Sequence, residues 1–278
     1  MTEECAALYV VPTPLGNLAD LTRRAEEVLR QVSWVAAEDT RHSAPLLKQL
    51  GSKARTLPAH QHNEREAVVR IVERLSAGES VALISDAGTP GISDPGARIV
   101  AAVREAGARI VPLPGPCAAI TALSASGLVD EHFLFYGFLP AKAGQRRQAI
   151  EALRALSFAL VFYEAPHRLL DTVADLAAVL GERTLVIARE LTKLFESIHS
   201  APLSEAADWL KADANRQRGE FVLIVSGAPA HADDGEGERV LRLLLADGLP
   251  VKQAAKLAAA ITGAAKNALY ERALALKS

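Results

Sequence analysis

Short apolar runs rich in β-branched residues alternate with segments of helical spacing through the first half of the chain. Leu8 to Val11, Ser33 to Ala36, Val81 to Ile84 and Ile110 to Leu113 read as strands. Between them, Leu21, Ala25, Val28 and Leu29, and then Val68, Val69, Val72 and Leu75 ending near Gly78, recur at the spacing of one helix face. The alternation predicts a parallel-rich α/β arrangement. A second set follows, with strands over Phe133 to Tyr136, Phe158 to Tyr163, Thr184 to Ile187 and Phe221 to Val225. Its helical segments run over Gln145 to Leu156, His167 to Leu180 and Leu203 to Ala212. The fold class expected is therefore α/β, as an N-terminal domain over 1–127 and a C-terminal domain over 128–229. Gly227 to Gly237, small, acidic and turn-rich, reads as a linker. Beyond it Glu238 to Asp247, Val251 to Thr262 and Ala264 to Lys277 form a helical module over 236–278.

The strand over Val81 to Ile84 runs into Ser85 to Gly96, SDAGTPGISDPG, and open α/β sheets place ligands outside the carboxyl ends of their strands. Glycine lets backbone approach a ligand and proline stiffens the loop that offers it. The SDPG half also reads as a helix start, with Ser93 or Asp94 as N-cap and Pro95 at the first helical position. Val11 to Asp20 and Leu113 to Leu123 are two more Gly/Pro loops after strands, and three such loops in one domain point to one crevice. Neither the Gly-x-Gly-x-x-Gly fingerprint nor a Gly-Lys-Ser/Thr phosphate loop is present, which removes the main support for a dinucleotide or ATP reading.

A formal charge of −2 argues against a generally basic nucleic-acid binder, so any polyanion site must be a local patch. Cys5 and Cys117 stand far apart without ligand spacing, which indicates neither a disulfide framework nor a zinc site. The first residues carry acids where a signal peptide carries bases, and no apolar run reaches the ~18 residues of a membrane span. A soluble cytoplasmic protein is expected.

Polar clusters follow several strands. Ala37 to His42, AEDTRH, brings two carboxylates, an arginine and a histidine to one strand end, for substrate contact or general base, with Asp39 or Thr40 as a helix cap the alternative. His60 and His62 lack a third metal ligand, so Asn63 as a helix cap is the better reading. Phe162 to Arg168 and Ala188 to Glu196 place charges directly after buried strands, for function or as structural pairs such as Glu164 with Arg168.

These motifs together resemble the tetrapyrrole methylase superfamily, and within it the branch of small-subunit ribosomal RNA cytidine 2′-O-methyltransferases. The blocks that carry the likeness are VPTPLGNLADLTRRA, AEDTRH, HQHNE, SDAGTPGISDPG, PLPGPCAAITALSASGL, FYGFLPAK, FYEAPHRL, ARELTKLFE and GEFVLIVSG. The resemblance implies an S-adenosylmethionine-dependent enzyme of two α/β domains, with the cofactor in the cleft between them and a homodimer as the assembly. Carried over, the cofactor meets Pro14, Leu15 and Gly16, then Asp86, Ala87, Gly88, Thr89, Pro90 and Ile92, then Pro116, Cys117 and Ala118. Tyr163, Glu164, Ala188 and Arg189 close over it from the second domain.

Methyl transfer to a hydroxyl needs alignment and a base but no metal, and the candidate bases, in order, are Asp39, Glu190, Lys193 and His42. Arg23, Arg24, Arg41, Lys142, Arg146, Arg147, Arg168 and Arg189 are the cations available to the RNA, which is expected within the assembled small subunit. The five basic residues against one acid in 249–278 suggest a further phosphate contact from the helical tail. Two other readings compete. DAGTPG headed by an aspartate also suits a Mg-dependent phosphohydrolase using Asp86 and Asp94, and a non-catalytic ribosome-assembly factor could keep the fold without the chemistry.

Overall fold

The computed structural model describes residues 6–61, 63–229 and 236–277, which fall into one compact unit through Gly227 and a second beyond it. The first unit holds two five-stranded sheets. In the first, β1 (Ala7–Val10), β2 (Trp34–Ala37), β3 (Arg55–Pro58), β4 (Val81–Ile84) and β5 (Arg109–Pro112) lie in the order β3-β2-β4-β1-β5, all parallel. Parallel strands need crossovers, which α1 (Arg23–Gln31), α2 (Thr40–Gln49), α3 (Glu64–Ser76) and α4 (Ala97–Glu105) supply. Alternation on the central strand sorts the core: Val81 and Leu83 pack with Ile71 and Ile99, Ala82 and Ile84 with Ala25 and Leu29. Helices on both faces make β4 apolar throughout, hence its legibility as a continuous run.

The second sheet is less parallel than the sequence pattern suggests. β6 (Phe133–Phe138), β7 (Ala159–Glu164), β8 (Thr184–Arg189), β9 (Ser197–Pro202) and β10 (Phe221–Val225) lie in the order β6-β7-β10-β8-β9, and only β6 with β7 is parallel. β10 enters between β7 and β8 antiparallel to both, and β8 turns directly into β9 through the short segment 190–196. α6 (Ala143–Ala152), α7 (Leu169–Leu180) and α8 (Leu203–Lys211) cover one face, around Phe162, Leu176 and Leu223. The other face takes α5 (Ala118–Ser124), whose Ala119 and Ala122 pack against Val161, Val186 and Ile224. α5 follows directly from the first sheet, so this packing binds the two sheets together.

The second unit is a three-helix cluster of α9 (Glu236–Ala246), α10 (Val251–Thr262) and α11 (Lys266–Lys277), packed around Leu241, Ala255, Ala258 and Leu269. Glu238 of α9 accepts hydrogen bonds from both Arg242 and Arg272, which ties α9 to α11. Among the described residues no helix is long and apolar enough to cross a membrane.

Candidate functional site

The strand order sets the ends of β2, β4, β1 and β5 side by side, and the loops that leave them are stitched together. Thr13 and Gly88 exchange backbone bonds at 2.9 and 3.0 Å, and Thr13 Oγ1 donates to the Ser85 carbonyl at 3.0 Å. Thr89 Oγ1 donates to the Pro116 carbonyl at 2.8 Å, joining the loop after β4 to the loop after β5. Gly88 has φ +84°, and a Cβ there would stand 3.3 Å from Leu15 Cδ2. Only glycine holds that conformation without strain. At the neighbouring strand end, the Asp39 amide donates to Asp86 Oδ1 at 3.1 Å and the Asp86 amide to Glu38 Oε2 at 3.4 Å. The loops thus form one rigid rim.

Above this rim lies a cavity of about 480 Å³. The first sheet contributes Leu15, Glu38, the 86–89 backbone, Ile92, Asp94, Cys117 and Ala118, and the second contributes Phe138, Tyr163, Glu164, Ala188, Leu191, Phe221 and Val222. Tyr163 spans the junction, its hydroxyl accepting from the Ala119 amide at 3.1 Å, and burial pushes its ionisation well above the ordinary phenol range. Burial, reinforced by the charge of Glu38, pushes the Asp94 carboxyl up to about 6. Glu38 is raised as well, chiefly by burial, with Asp86 and Asp39 adding repulsion.

Of the cofactor residues expected from the sequence, Leu15, Asp86, Ala87, Gly88, Thr89, Ile92, Cys117, Ala118, Tyr163, Glu164 and Ala188 line the cavity. Pro14, Gly16, Pro90, Pro116 and Arg189 do not line it. Pro116 serves through its carbonyl, and the Arg189 guanidinium is spent on the carbonyls of Arg218 and Phe195. Glu164 is buried, accepting from Thr172 and the Ala165 amide and lying 3.2 Å from Arg168, so its carboxylate is a structural anchor at the cavity wall.

None of the four candidate bases lines the cavity. Asp39 caps α2 by accepting from the Arg41 amide at 2.8 Å, and the Arg41 side chain holds its carboxyl below the usual range. Lys193 bridges Glu190 at 3.0 Å and Glu220 at 2.7 Å. Burial opposes both charges, yet the Glu220 amide and then Lys193 keep Glu190 below its ordinary pKa, and Glu220 and Glu190 keep Lys193 above its own, so each keeps the charge it already has. Lys193 instead works as a strap: its side chain fills the space where a Cβ on residue 16 would be, closing the second sheet's loop onto the first. His42 is exposed on α2.

Other expectations are corrected by the same geometry. α4 starts at Ala97 with Gly96 as N-cap, and Glu64 of α3 accepts the Gly96 amide at 3.1 Å, which leaves Asp94 free of capping duty and on the cavity wall. Asn63 stands at the N-cap of α3 but turns back, accepting from the His60 amide and donating to the Pro58 carbonyl. His62 lies outside the described residues, among which no metal-ligand cluster occurs. Arg146 is buried and paired with Asp175 at 2.6 Å, unavailable to RNA. Sequence reasoning missed Glu38, Phe138, Leu191, Phe221 and Val222 as wall residues, although Glu38 is the first residue after a buried strand.

Residues 7–207 match the family profile Tetrapyrrole (Corrin/Porphyrin) Methylases, and residues 231–277 match the RsmI C-terminal HTH domain. The chain belongs to the tetrapyrrole methylase family. It is 55% identical over 270 residues to the Ribosomal RNA small subunit methyltransferase I of Escherichia coli O157:H7, covering 96% of this chain and 94% of that protein. The protein of the same name from Pseudomonas aeruginosa is 54% identical over 272 residues, with 96% of each chain covered. Two solved family members share the fold at low identity. The methyltransferase CobJ has a TM-score of 0.61 at 18% identity, covering 80% of this chain and 95% of its own. The uroporphyrin-III C-methyl transferase of Thermus thermophilus, solved with S-adenyl homocysteine, has a TM-score of 0.56 at 18% identity, covering 80% and 97%. This family member is a methyltransferase.

Proposed function

We propose that the protein transfers the methyl group of S-adenosylmethionine to the ribose 2′-hydroxyl of a cytidine in small-subunit ribosomal RNA, as a cytoplasmic homodimer. The observation that carries this reading is the cavity between the stitched loops and the second sheet, in a chain that matches small-subunit rRNA methyltransferases along nearly its whole length. Its walls suit the donor: Leu15, Ile92, Leu191 and Val222 offer apolar surface, while Glu38, Asp86 and Asp94 offer negative charge to a cationic molecule. When bound, S-adenosylmethionine supplies a methyl group on an electron-poor sulfonium. The residues that would hold it are the 86–89 backbone, Leu15, Cys117 and Ala118 on one side and Ala188 and Leu191 on the other.

The chain's own task is then to orient the hydroxyl and take its proton. Asp94 is the carboxylate best suited: it lines the cavity, and with its pKa near 6 it is ionised at neutral pH yet basic enough to hold a proton. Arg23, Arg24, Arg41 and Lys142 remain exposed for phosphate contacts. Nothing in the family or the relatives favours a phosphohydrolase or a non-catalytic factor.

The test is methyl transfer from labelled cofactor to purified small subunits that lack the modification, with the product nucleoside identified by mass spectrometry. The expected product is a 2′-O-methylcytidine, and Gly88→Val, which puts a branched side chain at a positive φ against Leu15, is expected to abolish transfer in a folded protein. Methylation confined to a base, or no transfer by the wild type, overturns the reading.

A further inference from the structure

Strand β6 carries a bulge beside the cavity. Phe135 pairs with Val161 and Gly137 with Phe162, so Tyr136 and Gly137 together oppose a single residue of β7. Such an insertion resets which face each following side chain points to, and bulges are frequent next to active sites for that reason. The ring contacts record the reset. Phe135 lies against Tyr163 with centroids 4.9 Å apart, and Tyr136, on the opposite face, lies against Phe162 at 5.8 Å. Strict alternation would return Phe138 to the Tyr136 side, away from the cavity. Instead Phe138 lies edge-to-face with Tyr163 at 5.7 Å, on the same face as Phe135.

The result is a phenyl ring that lines the cavity and is nevertheless 53% exposed. Its mounting is rigid. Gly137 has φ +81°, and a Cβ there would come within 2.9 Å of Ser93 Oγ, so the bulge presses against the turn that carries Asp94. The next residue, Leu139, is buried, and its carbonyl accepts from Arg168 Nη2 at 2.6 Å. A half-exposed aromatic ring on the cavity wall, beside the turn that carries Asp94, adds little to the core.

We propose that Phe138 is the platform on which the target nucleobase stacks, turning an unpaired nucleotide so that its ribose faces Asp94. This rests on the proposed transfer to RNA. Proteins that read single-stranded RNA stack splayed bases on aromatic side chains, because every base offers a π-face. The occupant favoured is the base and not the cofactor, because Phe138 is half exposed and so within reach of a macromolecule, whereas Leu191 and Ala188 are buried wall. Phe138 is thus a positioning residue, separate from the proton acceptor.

The experiment compares the full chain carrying Phe138→Ala, Phe138→Leu or Phe138→Trp. Three quantities are measured: affinity for S-adenosylhomocysteine by calorimetry, affinity for unmodified small subunits by filter binding with that product bound, and methyl transfer. The platform predicts cofactor affinity unchanged in all three. Subunit affinity and kcat/KM fall about tenfold to a hundredfold in the alanine and leucine variants, the scale of one stacked base, and are retained with tryptophan. Full activity in Phe138→Leu overturns the proposal, since a ring of no special chemistry then merely fills space. Weakened cofactor affinity with subunit affinity intact makes Phe138 a cofactor wall and overturns it too, as does a change of oligomeric state in sedimentation. If the wild type binds subunits but transfers no methyl, the function fails while the binding measurement still decides the platform; a wild type that binds none overturns both.

Discussion

Asp94 shows how one loop residue acquires chemistry from its surroundings. Its carboxyl is raised by burial first and by the charge of Glu38 next, so the folded protein holds the Asp94 proton more tightly than the unfolded chain does. The sign follows: between the ordinary value of 3.8 and about 6 this group makes the fold less stable as pH rises, and above that window the cost is fully present. Asp94→Asn removes the charge at constant shape. It is expected to raise the melting temperature at pH 7.5 while lowering methyl transfer roughly 10²-fold or more, the scale for losing a general base, with cofactor affinity retained. Wild-type kcat/KM is expected to climb with pH to a plateau above about 6, a limb that the variant lacks. An unchanged rate in the variant would move the base elsewhere. At this scale the sequence was partly legible. The cavity rim could be read, because glycine and proline after a strand have a backbone meaning, and Gly88 carries it out. The base proposed here could not, because Asp39, Glu190 and Asp94 are the same kind of residue until capping, ion pairing or burial separates them.

Among the elements, strands with an apolar run were legible, the edges β5 and β6 included, whereas the edges β3 and β9 were not. β4 and β10 are apolar at every position and match their expected spans. β3 buries only Leu57, and β9 buries nothing fully, so neither left an apolar signature. The antiparallel placement of β10 is a matter of topology, which the strand pattern does not encode. α6 shows a subtler failure: Arg146 and Arg147 look like a basic patch, but both turn to Asp175 of α7 at 2.6 Å, Arg146 buried and Arg147 with 63% of its side chain exposed. Those bonds hold the Asp175 carboxyl below its ordinary pKa against the pull of burial. The two arginines are therefore unequal. Asp175→Asn leaves the buried Arg146 charge uncompensated and is expected to cost about 3–5 kcal/mol in a denaturation experiment. Arg147→Ala, removing the exposed partner, is expected to cost about 1 kcal/mol or less. Equal losses would mean that the pair acts as a single network.

For the whole molecule, the question is how a chain of net charge −2 holds a polyanion. The α/β unit has its own cores on both sheets, closed by α5, by Tyr163 on the Ala119 amide and by Lys193 against Gly16, so the cavity is complete within it. The helical unit has a separate core and carries Lys252, Lys256 and Lys266 exposed, while Arg272 is engaged by Glu238. On the proposed function, the helical unit adds phosphate contacts to those of the α/β unit and takes no part in the cofactor site. A protein ending at Pro229 is expected to fold and to bind S-adenosylhomocysteine as the full chain does. Its affinity for small subunits is expected to fall. Because neutralising a phosphate releases counterions, the slope of log affinity against log salt is expected to become shallower by roughly 0.7–0.9 for each phosphate that the shortened protein leaves unneutralised. Among the described residues three exposed lysines are removed, which puts up to three phosphates at stake if each reaches one. Filter binding of both proteins over a salt series measures this directly. Equal slopes and equal affinities would make the helical unit a structural appendage and leave RNA binding entirely to Arg23, Arg24, Arg41, Lys142 and the platform at Phe138.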